Sequence, residues 1–399
     1  MMRVVICGAG IAGLTLAERL ATRGWDVLVV EKAPRPREQG YMIDFFGVGY
    51  DAAEAMGLLP RLAELGYRVR EAAYLDESGR RRTGISFARF ASALDQRLLS
   101  IMRPDLERAL REHLPERVET RYATTVARVT DERSAVRVGL SDGTEVEAHL
   151  LVGADGIHSA VRRLVFGPEN PLRYLGFHTA AFTFDAPDIR DRVADRFCLT
   201  DTSDRQMGFY GLRDGRVAAF AVHRAAEPGS PADPRAELLR EYRDLGWVVP
   251  RALAACPPND QIYYDQVAQV DLPAWHRGRV VLVGDACAAV SLLAGQGASL
   301  GMGGAYVLAG ELAALDSLDS LDSVGSPDSI GAALAGYERR WRPVITEKQR
   351  VARATARWFL PRSRTELWVR RAALGLARLP VADRLLATGL AGKPARLNA

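Results

Sequence analysis

Four apolar residues in succession, Val4-Val5-Ile6-Cys7, give way to Gly8-Ala9-Gly10-Ile11-Ala12-Gly13, and apolar positions then recur at helical spacing. A short unbroken apolar run before a glycine turn reads as a buried strand. Ala17 and Leu20 continue one apolar helix face, Gly24 ends it, and Val27 lies in a second strand that delivers Glu31 at its end. The chain therefore opens with a strand, a tight turn, a helix and a second strand.

Further along, residues 40–57 read as a loop entering a helix, with an aromatic cluster of Tyr41, Phe45, Phe46 and Tyr50. Residues 71–90 read as a hairpin around Glu77-Ser78-Gly79. Pro104 suits the first position of a helix carrying Leu106 and Leu110, which puts Arg103 at that helix's mouth. Alternation with period two runs over residues 118–151, turns at Asp142-Gly143 and ends in Leu150-Leu151-Val152. Strands dominate from about residue 171 to 274: residues 179–184 alternate, and 207–223 read as a hairpin around Asp214-Gly215. A further apolar strand and turn follow at residues 278–285. The first domain is thus expected in three pieces, 1–75, 96–170 and 277–315, with a β-sheet domain (76–95 and 171–276) inserted between them. Residues 316–329, DSLDSLDSVGSPDS, are too poor in apolar side chains for a core and read as a flexible loop. Residues 330–399 read as helix broken at Pro343, Pro361 and Pro380.

Composition narrows the setting. The 399 residues are 48% hydrophobic and 26% charged, as in a soluble globular protein long enough for two cores. No apolar run approaches the roughly 18 residues of a membrane span. The first strand begins at Arg3, which leaves no room for a cleavable leader, so a cytoplasmic protein is expected. Cys7, Cys198, Cys256 and Cys287 show no CxxC spacing and no His/Cys cluster, so neither a metal site nor a disulfide framework is expected. The net charge of +4 is small. Arginines between Arg339 and Arg371, interleaved with Trp341, Trp358 and Trp368, fit an amphipathic helix with a solvated basic face better than a nucleic-acid surface.

The opening turn carries chemistry. Glycines at 8, 10 and 13 bring backbone N–H groups close to a pyrophosphate at a helix N-terminus, and a carboxylate about twenty residues on suits ribose hydroxyls. Two more glycine-bearing turns follow strands in the same way. One is Gly153-Ala154-Asp155-Gly156-Ile157-His158-Ser159-Ala160-Val161-Arg162, and the other is Gly284-Asp285-Ala286, preceded by Trp275, Gly278 and Arg279. Together, in this order and separation, the three motifs resemble the class A FAD-dependent aromatic monooxygenases related to p-hydroxybenzoate hydroxylase. The likeness covers roughly residues 1–375 and is greatest to the compact bacterial members, among them antibiotic-tailoring and tetracycline-modifying enzymes.

The resemblance implies an α/β fold, a discontinuous Rossmann-like FAD-binding domain with an inserted β-sheet substrate domain and C-terminal helices. It implies cofactor contacts from Gly8, Gly10, Ile11, Ala12 and Gly13 in the first turn, and from Glu31 and Lys32 after the second strand. Arg103 would lie along the ribityl and phosphate part, Asp155 would brace the second turn, and Gly284 and Asp285 would meet a ribityl hydroxyl. Gly295, Gly297, Ala298 and Ser299 would present N–H groups to the flavin's N1–C2=O edge at a helix start, where negative charge develops on reduction. NADH or NADPH would reduce FAD, dioxygen would add as a C4a-hydroperoxide, and a small aromatic or polyketide-like molecule would be oxygenated. No metal is called for.

Some positions depart from the commonest family pattern: Cys287 and Ala288 after the third turn, Leu292 for proline, Ser299 for asparagine and Gly304 for aspartate. Backbone groups carry the cofactor, so FAD binding is expected to survive them. No dedicated catalytic base stands out; Asp44, Tyr210 and His223 are candidates, and Phe45, Phe209 and Phe220 are candidate pocket aromatics. Rival readings are a saturating reductase of the geranylgeranyl-reductase type and a non-catalytic flavin or ligand binder. A flavin halogenase would need a WxWxIP signature, which none of the six tryptophans forms.

Overall fold

A computed structural model describes residues 1–132, 134–169, 171–291, 295–314, 327–376 and 397. The apolar opening run forms β1 (Arg3–Cys7) at the centre of a six-stranded sheet. β1 pairs in parallel with β2 (Asp26–Val30) on one side and β11 (Leu150–Gly153) on the other. β7 (Glu119–Arg121) extends the β2 edge. On the opposite side, β18 (Val280–Leu282) continues the parallel order and β17 (His276–Arg277) closes it antiparallel. Strands buried on both faces need continuous apolar sequence, which Val4-Val5-Ile6 and Leu150-Leu151-Val152 supply. The helix Ile11–Ala21 packs against the helices Arg103–Glu112 and Gly297–Ala313 on one side of this sheet. β8 (Val126–Asp131), β9 (Val136–Leu140) and β10 (Glu145–Ala148) form a separate antiparallel meander.

A second, seven-stranded sheet is built from β4 (Glu71–Leu75), β5 (Arg81–Ser86), β12 (Leu172–Phe184), β13 (Arg196–Thr202), β14 (Arg205–Gly211), β15 (Val217–Arg224) and β16 (Tyr263–Val270). Their spatial order is β16-β12-β15-β14-β13-β4-β5. The outer face packs Phe182, Met207, Phe209 and Ala219 under short helices that contribute Ile189, Leu238, Tyr242 and Val249. The inner face carries Tyr210, Ala218 and Phe220, which meet Met42 and Met102. Those two methionines belong to a ribbon of β3 (Met42–Phe46) and β6 (Leu98–Met102), paired antiparallel where the two domains meet.

Several expectations need correction. The boundary after residue 75 cuts the seven-stranded sheet, because β4 pairs in parallel with β13 and belongs to the insertion. Residues 71–90 do form a hairpin, but it ends at Ser86 and a short helix, Phe87–Ser92, follows. Residues 40–57 contain strand β3 before the helix Val48–Ala55. The C-terminal helix begins at Pro327, inside the expected loop, and runs unbroken through Pro343 to Phe359. Pro343 and Arg339, four residues earlier, are both exposed, so water can serve the carbonyl that proline leaves unpaired. A break does fall at Pro361, before the helix Arg364–Leu376. The rest of the expected loop (316–326) and Pro380 lie outside the described residues.

Candidate functional site

The first turn is built by close approach. Gly8 has φ +114°, and a Cβ there would sit 2.3 Å from the Ala154 carbonyl oxygen. A Cβ on Gly13 would sit 1.9 Å from the Gly8 carbonyl oxygen. Only glycine allows β1, the helix behind it and the Asp155 turn to come this near. At Gly10 the surroundings open: a Cβ would come no closer than 3.8 Å to Glu107 Oε1 and 4.0 Å to Arg103 Nη2. Ile11 is buried in the core, while Ala12 faces Gly284 and Gly301. Glu31 closes the turn from below, its Oε2 accepting from the Ala9 N–H and its Oε1 from the Ala33 N–H, each at 2.9 Å. Lys32 next to it is exposed.

The second turn is held by Asp155, whose Oδ2 accepts from the N–H groups of Ala160 (2.6 Å) and Val161 (3.1 Å) at the start of the helix Ala160–Phe166. Its Oδ1 is buried with no protein partner. Arg162 joins the second turn to the third: Nη1 donates to the Ala286 carbonyl at 2.7 Å and Nη2 to the Ile157 carbonyl at 2.6 Å. That cross-link was visible in the sequence only as the last residue of a motif. In the third turn Gly284 has φ +63°, and Asp285 opens a short helix. Asp285 keeps exposed surface although desolvation raises its pKa, with Arg103 opposing and Asp265 adding to the rise. An acid both exposed and desolvated faces a cleft inside the molecule.

Arg103 enters that cleft from the first turn of its helix. It pairs with Glu107 at 2.9 Å, and its backbone N–H donates to the Tyr41 carbonyl at 3.0 Å. Burial works against its charge, but Glu107, Tyr41, Tyr263 and Asp285 together hold its pKa above the ordinary value. Gly297, at the N-terminus of its 17-residue helix, lies across from Asp285, with its Cβ position 4.0 Å from Oδ1. Gly295 has φ +63°, Ala298 packs at the edge of the core, and Ser299 Oγ accepts a long 3.4 Å bond from the Phe46 N–H. The structure thus gathers Gly10, Arg103, Asp285 and Gly297 around one cleft. An orphaned Asp155 oxygen, a clear space over Gly10 and an open acid at Asp285 fit a dinucleotide that carries phosphates and hydroxyls.

The substrate-side expectations fare unevenly. Phe220 does reach the inner face, its ring 5.6 Å from that of Tyr41, which is 5.5 Å from Tyr263. Phe209 does not: it is fully buried on the outer face against Phe184 and Trp247. Phe45 likewise points into the first domain's core. Tyr210 faces inward, but its hydroxyl accepts from the Met42 N–H and is committed to joining the sheets. His223 lies beneath the outer helix Pro234–Tyr242, its Nδ1 3.1 Å from the Tyr242 hydroxyl and its Nε2 3.3 Å from that of Tyr264. Burial lowers its pKa to about 4, and it faces away from the cleft. Asp44 shares its strand face with Met42, opposite Ser100, whose hydroxyl donates to it at 2.8 Å. Burial pushes Asp44 up to about 6, with Ser100 pulling the other way. In the sequence Tyr41 stands out only as one of an aromatic cluster and Tyr263 not at all; what the sequence lacks is their meeting across the two domains. Among the described residues no group of three or more His, Cys, Asp or Glu could hold a metal ion. None of the described helices is long and apolar enough to cross a membrane.

A glycine turn, two acid-bearing turns and an inserted sheet over their common cleft define a flavoprotein oxidoreductase. The chain belongs to the family described as FAD binding domain, which matches residues 1–317, and several of its relatives are named flavin- or FAD-dependent monooxygenases. It is 30% identical to the FAD-dependent monooxygenase asL6 of Sarocladium schorii over 389 residues, covering 88% of this chain and 86% of that one. An uncharacterized protein of Mycobacterium tuberculosis is 34% identical over 320 residues, 78% of this chain and 85% of its own. Among solved structures, tetracycline destructase Tet(55) superposes with a TM-score of 0.80 at 25% identity, covering 100% of this chain and 99% of that one. Pseudomonas aeruginosa PqsL in complex with 2-aminobenzoylacetate gives 0.70 at 27% identity, covering 94% and 99%. The cofactor is FAD, with NAD(P)H as the family's electron donor. These relatives favour oxygenation over the saturating reductase.

Proposed function

We propose that this protein is a cytoplasmic tailoring enzyme that oxygenates a small aromatic or polyketide-like molecule held against FAD by the inner face of the seven-stranded sheet. The observation that carries this reading is the cleft itself, where Asp285 stays open between Arg103 and the Gly297 helix start while Tyr41, Phe220 and Tyr263 line the side toward the insertion. FAD, when bound, stores the electrons from NAD(P)H and activates dioxygen. The rest of the work falls to side chains.

In this proposal the first turn and the helix behind it hold the pyrophosphate on backbone N–H groups. Glu31 is already oriented by two N–H donors, and its remaining lone pairs accept from the ribose. Arg103, partly neutralised by Glu107, offsets phosphate charge without leaving an unpaired cation when the site is empty. Asp285 accepts from a ribityl hydroxyl. The N-terminus of the Gly297–Ala313 helix favours negative charge on the flavin's pyrimidine edge. Tyr41, Phe220 and Tyr263 supply flat apolar surface that excludes water from the reacting centre. With His223 on the outer face and Tyr210 committed to Met42, Asp44 is the titratable group left on the ribbon face that meets the insertion.

The test is to reconstitute the protein with FAD and screen aromatic compounds, following NAD(P)H oxidation, oxygen uptake and product mass together. A product heavier by one oxygen supports the reading. Substrate-coupled NAD(P)H oxidation without oxygen consumption points instead to a reductase and overturns it.

A further inference from the structure

Between the Asp285 turn and the Gly297 helix, the backbone is gripped by side-chain amides. Gln269, at the end of β16 and fully buried, donates from Nε2 to the Val290 carbonyl and to the Gln349 carbonyl, each at 3.0 Å. Its Oε1 accepts from Arg353 Nη1 at 2.6 Å. Gln349, on the helix Pro327–Phe359, answers with Nε2 donating to the carbonyls of Val270 and Ala289, each at 2.9 Å. Both N–H bonds of each amide are therefore used. The direct backbone bond at this corner, from the Val270 N–H to the Ala289 carbonyl, is a long 3.3 Å. The glutamines reinforce what that bond holds only weakly.

Immediately beyond the grip stands Ser291, buried and at φ +98°, a conformation an L side chain holds only when its surroundings impose it. At the far end of the stretch, Ser299 is packed so tightly on Gly49 that a Cβ there would lie 2.5 Å from the serine Cα. Residues 289 and 290, just after the Asp285 helix, and Ser299, in the first turn of the Gly297 helix, are thus each anchored, Ala289 by the C-terminal helix.

We propose that Gln349 is a positioning residue for the cofactor. Resting on the flavin reading above, its amide holds Ala289, directly after the Asp285 helix, onto the same helix that packs against Gly297–Ala313, and so sets the separation between the Asp285 carboxylate and the N–H groups at the Gly297 helix start. Those N–H groups favour the more negative, reduced flavin, so a helix start held in register raises the bound cofactor's electron affinity. A packing role alone would change stability and leave the potential where it was.

The experiment uses FAD-loaded full-length protein. Gln349→Met keeps length and volume but donates nothing. Arg353→Met leaves both glutamines and removes only the partner that orients Gln269, so it guards against a variant that fails to fold. The readout is the midpoint potential of bound FAD, with the urea midpoint of the FAD-free protein recorded alongside. In Gln349→Met the preference for reduced over oxidised FAD should fall about tenfold, a shift of about 30 mV to more negative potential for a two-electron couple. Arg353→Met should shift in the same direction by less. FAD-loaded variants that hold the wild-type potential overturn this proposal alone, whatever their stability. Wild-type protein that takes up no FAD overturns the flavin reading on which it rests.

Discussion

Acid should strip stability from the folded protein through His223. The ring is buried between Tyr242 and Tyr264, and its pKa is lowered from 6.5 to about 4 by burial, with His178, Arg205 and Arg240 adding to the drop and Glu241 opposing it. A histidine with a depressed folded-state pKa is neutral in the native state. The unfolded chain takes up a proton below pH 6.5, so the native state is favoured fully above that value and loses ground as pH falls toward 4. About 2.5 units at about 1.36 kcal/mol per unit gives roughly 3 kcal/mol at most. Asp44, raised to about 6, works in the opposite direction: its contribution is greatest at low pH and is lost as pH rises through 6. The measurement must therefore be a difference. Urea unfolding of wild type and His223→Gln at intervals from pH 7.5 to 4.5 isolates the imidazole, because glutamine still offers polar atoms to the two tyrosines but does not titrate. Wild type should lose about 2–3 kcal/mol more than the variant over that range. Parallel curves would refute the claim that the ring is held neutral by burial.

Glu31→Ala and Asp285→Ala should each weaken FAD retention by roughly tenfold or more, the worth of one or two hydrogen bonds to a charged acceptor; titration of the FAD-free protein by flavin fluorescence reads this, and unchanged affinity in both variants would remove their roles. Phe209→Ala should cost about 3–5 kcal/mol of stability with little change in substrate KM, whereas Phe220→Ala should raise KM at a smaller stability cost; the reverse pattern would mean the sheet faces are misassigned. The pH profile of kcat/KM should carry an inflection near 6 from Asp44, absent in Asp44→Asn; an inflection that survives the substitution belongs to another group.

Features written in local sequence were legible. The glycines at 8 and 13 are dictated by contacts within one βαβ unit and its neighbouring turn, and Asp155 and Asp285 sit on turns that likewise lead from a strand into a helix. Side-chain facing was not legible, because it depends on partners far away. Phe209 and Phe220 look equivalent in the sequence, yet Phe209 pairs with Ala219 and so shares the outer face, while Phe220, one residue on, turns inward. Tyr41 and Tyr263 come from different domains, and only their meeting makes an aromatic wall. Pro343 reads as a breaker by rule, but exposure at Arg339 and Pro343 removes the reason to break. Gln269 and Gln349 carry no motif; their value lies wholly in the carbonyls they reach.

The parallel pairing of β4 with β13 has a consequence for how the chain is made. Glu71–Leu75 leaves the ribosome early, but the strand it must lie beside does not begin until Arg196. Until then, β4 and its hairpin partner β5 form an isolated two-stranded piece with one edge open, marginal by itself and able to pair wrongly. Closing so long a loop slows folding and lengthens that exposure. Nascent chains released between those two points should therefore aggregate or recruit chaperones, and a split of the gene between residues 75 and 196 should yield no independently folded insertion.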